Sequence, residues 1–285
     1  SKLAIAQAQR AADLLSQLGH TYELITILTS GDKIKDKNLY DIGGKALFLK
    51  EIEEALLAKQ IDLAVHSFKD VPGSIPEQLT IAAVLERKTP NDMLLSFDAK
   101  TIMDLPYKAK VGTSSVRRKS ILLHHRPDLE IANCRGNITL RIKKFLDKEY
   151  DAIVLAACGL EMLGMIDSSY CSIIPDEEML PAVAQGTIAI EVRKNDLQMI
   201  EICKNINHEL TWQLLKAERG FLETLDADCR TPLAAFAQLD NGKLRANFML
   251  ADISGLNLKT YKETVLLTEA QELGIKAAKI LSTQE

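Results

Sequence analysis

Apolar positions recur at helical spacing from the start of the chain. Leu3, Ala6, Ala8, Ala11, Leu14, Leu15 and Leu18 predict a helix over 3–18, stopped at Gly19. The pattern then shortens to strand-like runs. Residues 22–28, 61–65 and 79–85 read as strands, and 46–59 as a second amphipathic helix. Between them, 30–44 is polar, lysine-rich and bounded by glycine, which predicts a mobile loop. A new unit begins near Pro90. Strands at 109–112, 129–132 and 152–157 alternate with helices at 115–124, 138–146 and from 160 onward. Such alternation predicts an α/β unit with a parallel sheet. Residues 182–193 read as a further strand with a return segment. A helix over 210–225 then leads into strand patterns at 233–239, 244–251 and 259–267, closed by a helix over 270–281. This last stretch reads as a small α+β domain.

A chain of 285 residues exceeds one typical core, so two or three domains are expected. Its composition, 47% hydrophobic and 26% charged, is that of a globular protein, and no apolar run reaches the length of a membrane span. Neither a membrane nor a secretory route is expected. The five cysteines are odd in number and contain no Cys-x-x-Cys pair, which fits a reducing cytoplasm and disfavours a structural zinc. His124 and His125 are adjacent, so they point apart and read as surface residues rather than metal ligands.

Charge changes the picture locally. The net charge is −4, yet 108–148 is densely basic, with only Asp128, Glu130 and Asp147 opposing. Thr113-Ser114-Ser115 at a helix start, followed by Arg117 and Arg118, offers N–H groups, hydroxyls and two forked donors to an anion. Arg135-Gly136 and Arg141 repeat the theme. A solvated basic helix face is the plain alternative for either cluster alone; the repetition favours a ligand with several carboxylates or phosphates. A nucleic acid is not expected, since Phe145 is the sole aromatic stacking residue in the basic stretch and the chain is acidic overall. His66-Ser67-Phe68-Lys69-Asp70 closes a strand with a carboxylate among cations, suited to stabilising a cation or handling a proton. A capped turn is the alternative. Cys229, in a loop beside Arg230, could be a nucleophile or an attachment point, although most single cysteines are structural. Gln185-Gly186 reads as a polar turn. The functional groups after strands 61–65, 109–112 and 129–132 should share one cleft, because open α/β sheets bind ligands at strand carboxyl ends.

Taken in order, Gly43-Gly44-Lys45-Ala46-Leu47-Phe48, Val65-His66-Ser67-Phe68-Lys69-Asp70-Val71-Pro72, Gly112-Thr113-Ser114-Ser115-Val116-Arg117-Arg118, Arg135-Gly136-Asn137, Leu180-Pro181-Ala182-Val183-Ala184-Gln185-Gly186 and Glu218-Arg219-Gly220-Phe221-Leu222 through Cys229 resemble the porphobilinogen deaminase family over nearly the whole chain. The resemblance implies three domains, at 1–86 plus 187–204, 91–180 and 208–285. The first two would be periplasmic-binding-protein-like (type II), with mixed, mainly parallel sheets, and the third a small α+β domain. It implies a dipyrromethane cofactor held by a thioether at Cys229. It further implies stepwise deaminating condensation of four porphobilinogen molecules, with hydrolytic release of hydroxymethylbilane, by a cytoplasmic monomer. Asp70 matches the catalytic aspartate. Arg117, Arg118, Arg135 and Arg141 match binders of acetate and propionate groups. Ser67, Lys69, Thr113, Ser114 and Ser115 match cofactor contacts; Gln7 closes a further matching stretch that opens Ser1-Lys2-Leu3-Ala4, and Lys45, Gly136 and Gln185 fall in the motifs above. The 30–45 loop matches the family's lid.

The chain departs from the family pattern in three places. It starts after the point where the family carries a strand and a Gly-Thr-Arg; Met162 stands where an arginine is expected; and Ala227-Asp228 replaces Gly-Gly ahead of Cys229. These departures leave a second expectation, a catalytically impaired relative that binds a polyanionic small molecule.

Overall fold

A computed structural model describes residues 1–29, 49–227 and 230–283. The loop expected over 30–44, Lys45 and Cys229 lie outside the described residues. Helix α1 (Lys2–Gln17) is capped by Ser1, whose Oγ accepts from the Ala4 amide at 3.2 Å, and it buries Ala11, Ala12 and Leu15. The strand expected at 22–28 is not formed. No helix or ladder among the described residues includes it, and Tyr22, Leu24, Ile25 and Leu28 are exposed. Alternation predicts an extended chain, but a strand also needs a partner.

Helix α2 (Lys50–Leu57) precedes β1 (Leu63–Ser67), which ends in a 3₁₀ turn, Phe68–Asp70. Strand β2 (Leu79–Val84) and the later β8 (Ile188–Arg193) complete a three-stranded sheet in the order β1-β8-β2, antiparallel throughout. Strand β8 is central and wholly buried, as its near-continuous apolar run requires. The extended stretch expected over 182–193 shortens to β8 because Ala184 and Gly186 adopt left-handed φ of 59° and 86° and turn the chain.

The second sheet comprises β3 (Asp92–Ser96), β4 (Lys110–Gly112), β5 (Glu130–Ala132), β6 (Ala152–Ala156) and β7 (Cys171–Ile173), in the order β5-β4-β6-β3-β7. Helices α3 (Val116–His125), α4 (Ile138–Leu146) and α5 (Ala157–Met162) follow β4, β5 and β6. Strand β4 pairs in parallel with β5 and β6, whereas β3 runs antiparallel to β6 and β7. The chain is thus α/β with mixed sheets. Among the described residues its parallel pairs are confined to the βαβ units at the centre of the second sheet, because β3 and β8 enter their sheets from the crossing segments rather than through a helix.

After α6 (Leu197–Lys204), helix α7 (Glu209–Thr224) packs with α8 (Ala270–Thr283) on an antiparallel sheet of β9 (Leu233–Asp240), β10 (Lys243–Leu250) and β11 (Lys259–Val265). The helices cross so closely at Gly274 that a Cβ there would stand 2.1 Å from the Ala217 carbonyl oxygen. One hydrophobic cluster joins Phe68, Val71 and Val84 to Phe221, Phe248 and Leu273, so the third sheet's body is packed onto the first. Buried Glu218 reinforces that junction. It takes a bidentate pair from Arg87 (2.8 and 2.9 Å) and accepts from the Ala184 and Ala237 amides. Two segments cross between the first and second sheets. Where they meet, the Lys88 amide donates to the Gly186 carbonyl at 2.9 Å, and a Cβ on Gly186 would lie 2.5 Å from the Lys88 oxygen.

Candidate active site

Register places the chemistry. Strand β3 is antiparallel to β6, with Asp92 opposite Ala156, so its first residue lies at the carboxyl edge of the parallel strands. The 113–118 turn after β4 and Arg135 after β5 end at the same edge. Ser115 caps α3, its Oγ accepting from the Arg118 amide at 3.4 Å, and the Ser115 amide donates to Thr113 Oγ1. Ser114 Oγ donates to the Cys134 carbonyl at 2.9 Å and meets Asn133 Oδ1.

Arg117 and Arg118 do not stand open. Both are buried, 4% and 5% exposed, on a carboxylate of the chain itself. Arg117 Nη2 meets Asp92 Oδ2 at 2.7 Å, and its Nη1 donates to the Leu180 carbonyl. Arg118 donates from Nε and Nη2 to Asp92 Oδ1 (3.1 and 2.7 Å) and from Nη1 to the Val154 carbonyl. Burial alone would push the Asp92 carboxyl up. The Arg117 and Arg118 guanidiniums, with hydrogen bonds from Arg118 and Gln185, outweigh that and hold it well below the usual carboxylate range. Sequence reasoning missed Asp92; the available signal was one acid opening the buried run Met93-Leu94-Leu95.

Gln185, only a weak turn signal in the sequence, links this anchor to the turn that carries Asp70. Its Nε2 donates to Asp92 Oδ1 (3.0 Å) and the Pro90 carbonyl, while Oε1 accepts from Lys69 Nζ at 3.3 Å. Burial holds the Lys69 ammonium below its ordinary value, against the pull of neighbouring Asp70. Asp70 itself is exposed at the end of the 3₁₀ turn. Gln7 and Ser67 exchange hydrogen bonds (2.7 and 3.0 Å), tying α1 to the end of β1.

Gly136 takes φ +110°, and a Cβ there would meet Leu140 Cδ2 at 2.5 Å, so this turn onto α4 suits glycine. Arg141 donates from Nε to the Gly136 carbonyl at 2.7 Å. Its guanidinium is held below its ordinary value by burial, then by Arg118 and Arg135, with Cys134 and Asp70 opposing. The structure therefore gathers Asp70, Lys69, Arg118, Arg135 and Arg141 into one electrostatic neighbourhood. Met162 packs against the cluster containing Ala11 and Leu15.

An exposed carboxylate at the end of β1 thus shares its electrostatic surroundings with buried and half-buried cations from the carboxyl edge of the second sheet's parallel strands. The chain belongs to the porphobilinogen deaminase family, whose enzymes are transferases. Residues 1–201 match the family's porphobilinogen deaminase, dipyromethane cofactor binding domain, and residues 212–283 its C-terminal domain. It is 50% identical over 284 residues to the porphobilinogen deaminase of Rickettsia bellii, covering 99% of this chain and 95% of that one. It is 51% identical over 282 residues to that of Orientia tsutsugamushi, covering 98% and 94%. For Rickettsia prowazekii the identity is 48% over 288 residues, covering 100% and 96%. Among solved structures, the periplasmic VFT2 domain of Bordetella pertussis BvgS is similar at 12% identity and a TM-score of 0.43, covering 76% of this chain and 83% of that one. No helix among the described residues is long and apolar enough to cross a membrane.

Proposed function

We propose that the chain is a working porphobilinogen deaminase, which joins four porphobilinogen molecules on a dipyrromethane attached at Cys229 and releases hydroxymethylbilane. The observation that carries this reading is the exposed Asp70 carboxylate set among Lys69, Arg118 and Arg141. The donors fit the group: each pyrrole brings two carboxylates, and the described cleft supplies forked and ammonium cations to meet them. When bound, the dipyrromethane supplies the pyrrole carbon to which the first substrate is joined.

The chain's own residues do the rest. Arg135 and Arg141 hold ring carboxylates. Lys69, its ammonium held below its ordinary value by burial, is held by Gln185 beside Asp70. At each addition the aminomethyl C–N bond of porphobilinogen breaks and ammonia leaves. The Asp70 carboxylate stabilises the resulting cationic substrate pyrrole. A ring carbon of the bound cofactor chain would accept this pyrrole, forming the C–C bond and giving up its proton. Arg117 and Arg118 act chiefly through Asp92, as a rigid positive wall rather than as free grips. The domain division at 1–86 plus 187–204, 91–180 and 208–285 is part of the proposal, as are the cytoplasmic location and the monomeric state.

The test is the intact mass of the purified protein against its sequence mass. An added dipyrromethane, lost in Cys229→Ser, supports the reading. A full-length protein with no adduct that retains oligopyrrole binding overturns it in favour of a non-catalytic binder.

A further inference from the structure

Helix α7 reaches from the third sheet to the turn that carries Asp70. There Arg219 donates from Nη1 to the Val71 carbonyl at 2.7 Å and from Nη2 to the Pro72 carbonyl at 2.5 Å. Its guanidinium carbon lies 4.8 Å from the centroid of the Phe68 ring, and Nε faces Glu223, one helical turn on, at 3.4 Å. One side chain thus grips the turn on both sides of Asp70: the ring two residues before it, and the carbonyls one and two residues after. A planar fork matches two successive carbonyls and a ring face, which an ammonium cannot do together. Gly73 extends the contact, since a Cβ there would stand 3.3 Å from the Glu223 Cα.

The turn borders open space. Beside it lies a cavity of about 330 Å³, lined by Phe68, Ile81, Trp212, Arg219 and Glu223 among others. Without the clamp the turn has room to shift. The same helix runs on to Thr224, five residues before Cys229.

We propose that Arg219 is a positioning residue, which clamps the 68–72 turn to α7 and so fixes where the Asp70 carboxylate stands relative to that helix. This rests on the reading of Asp70 and Cys229 given above. Nothing in it requires Arg219 to touch substrate.

The experiment compares wild type, Arg219→Met and Arg219→Lys by hydrogen exchange of the 66–73 segment and by turnover per adduct-bearing molecule. The Phe68 amide bonds to the Thr187 carbonyl and the Val71 amide to that of Phe68, so both report the turn. In both variants exchange of this segment should rise at least tenfold while α7 stays protected. The kcat per loaded enzyme should fall at least tenfold with KM within twofold, and lysine should fail to rescue. Should Arg219→Met lose protection across α7, Arg219→Lys alone is decided by the same two measures. Unchanged exchange, or faster exchange with kcat within twofold of wild type, overturns the proposal. A wild type lacking adduct and turnover would instead remove the functional reading, and the exchange comparison would still decide whether the clamp exists.

Discussion

Replacing Asp92 with asparagine removes one charge and almost no volume. The side chain is fully buried and faces two guanidiniums that are themselves nearly inaccessible. Both Arg117 and Arg118 reach it within 2.7 Å. In Asp92→Asn these cations would remain buried against a neutral amide. Breaking a buried ion pair from one side costs about 3–5 kcal/mol. Stability of about 1 kcal/mol corresponds to a melting shift of roughly 2–4 °C for a chain of this class, so Tm should fall by about 6–20 °C in calorimetry at pH 7. The pH dependence carries a second signature. Asp92 is held below its ordinary value in the folded state, so its contribution is present above the unfolded value of about 3.9 and drains as pH falls toward the folded one. The gap between wild type and variant should therefore narrow below about pH 4. A Tm within about 2 °C of wild type at pH 7, or a gap constant down to pH 3, would refute the reasoning.

Other perturbations follow from the same contacts. Glu218→Gln removes the charge facing Arg87 at the junction of the first and third sheets, and should cost about 3–5 kcal/mol in denaturant unfolding. Gly186→Ala forces a Cβ onto the Lys88 oxygen at a left-handed φ, and should lower stability by about 1–3 kcal/mol, read as a shift in urea midpoint. Met162→Arg puts a charge onto the Ala11–Leu15 cluster; calorimetry should show a lower Tm, and steady-state assays no gain in kcat.

Long amphipathic helices were legible nearly to the residue: 210–225 against Glu209–Thr224, and 138–146 without change. Their buried faces repeat over several turns, so pattern outweighs noise. Strand 22–28 fails because alternation says nothing of a partner. The short β7, three residues long, offers too little pattern, and β3 opens on a charge that reads as surface. The site divides in the same way. Asp70 and Arg141 were legible as candidates because each follows directly on a strand end or a helix start. Arg117 and Arg118 were legible as charge but not as burial, since their counterion lies more than twenty residues upstream and meets them only through the antiparallel entry of β3. Gln185 was weak in sequence for the same reason: its role exists only where the crossing segments meet.

The central claim is that Asp70 drives porphobilinogen condensation in this cleft. The direct measurement is product formed from porphobilinogen, followed as the oxidised porphyrin, by wild type and Asp70→Asn at equal adduct loading. The account predicts steady product from wild type and at least a hundredfold lower rate from the variant, with its adduct retained. Product from the variant within twofold of wild type, or none from adduct-bearing wild type, would contradict it.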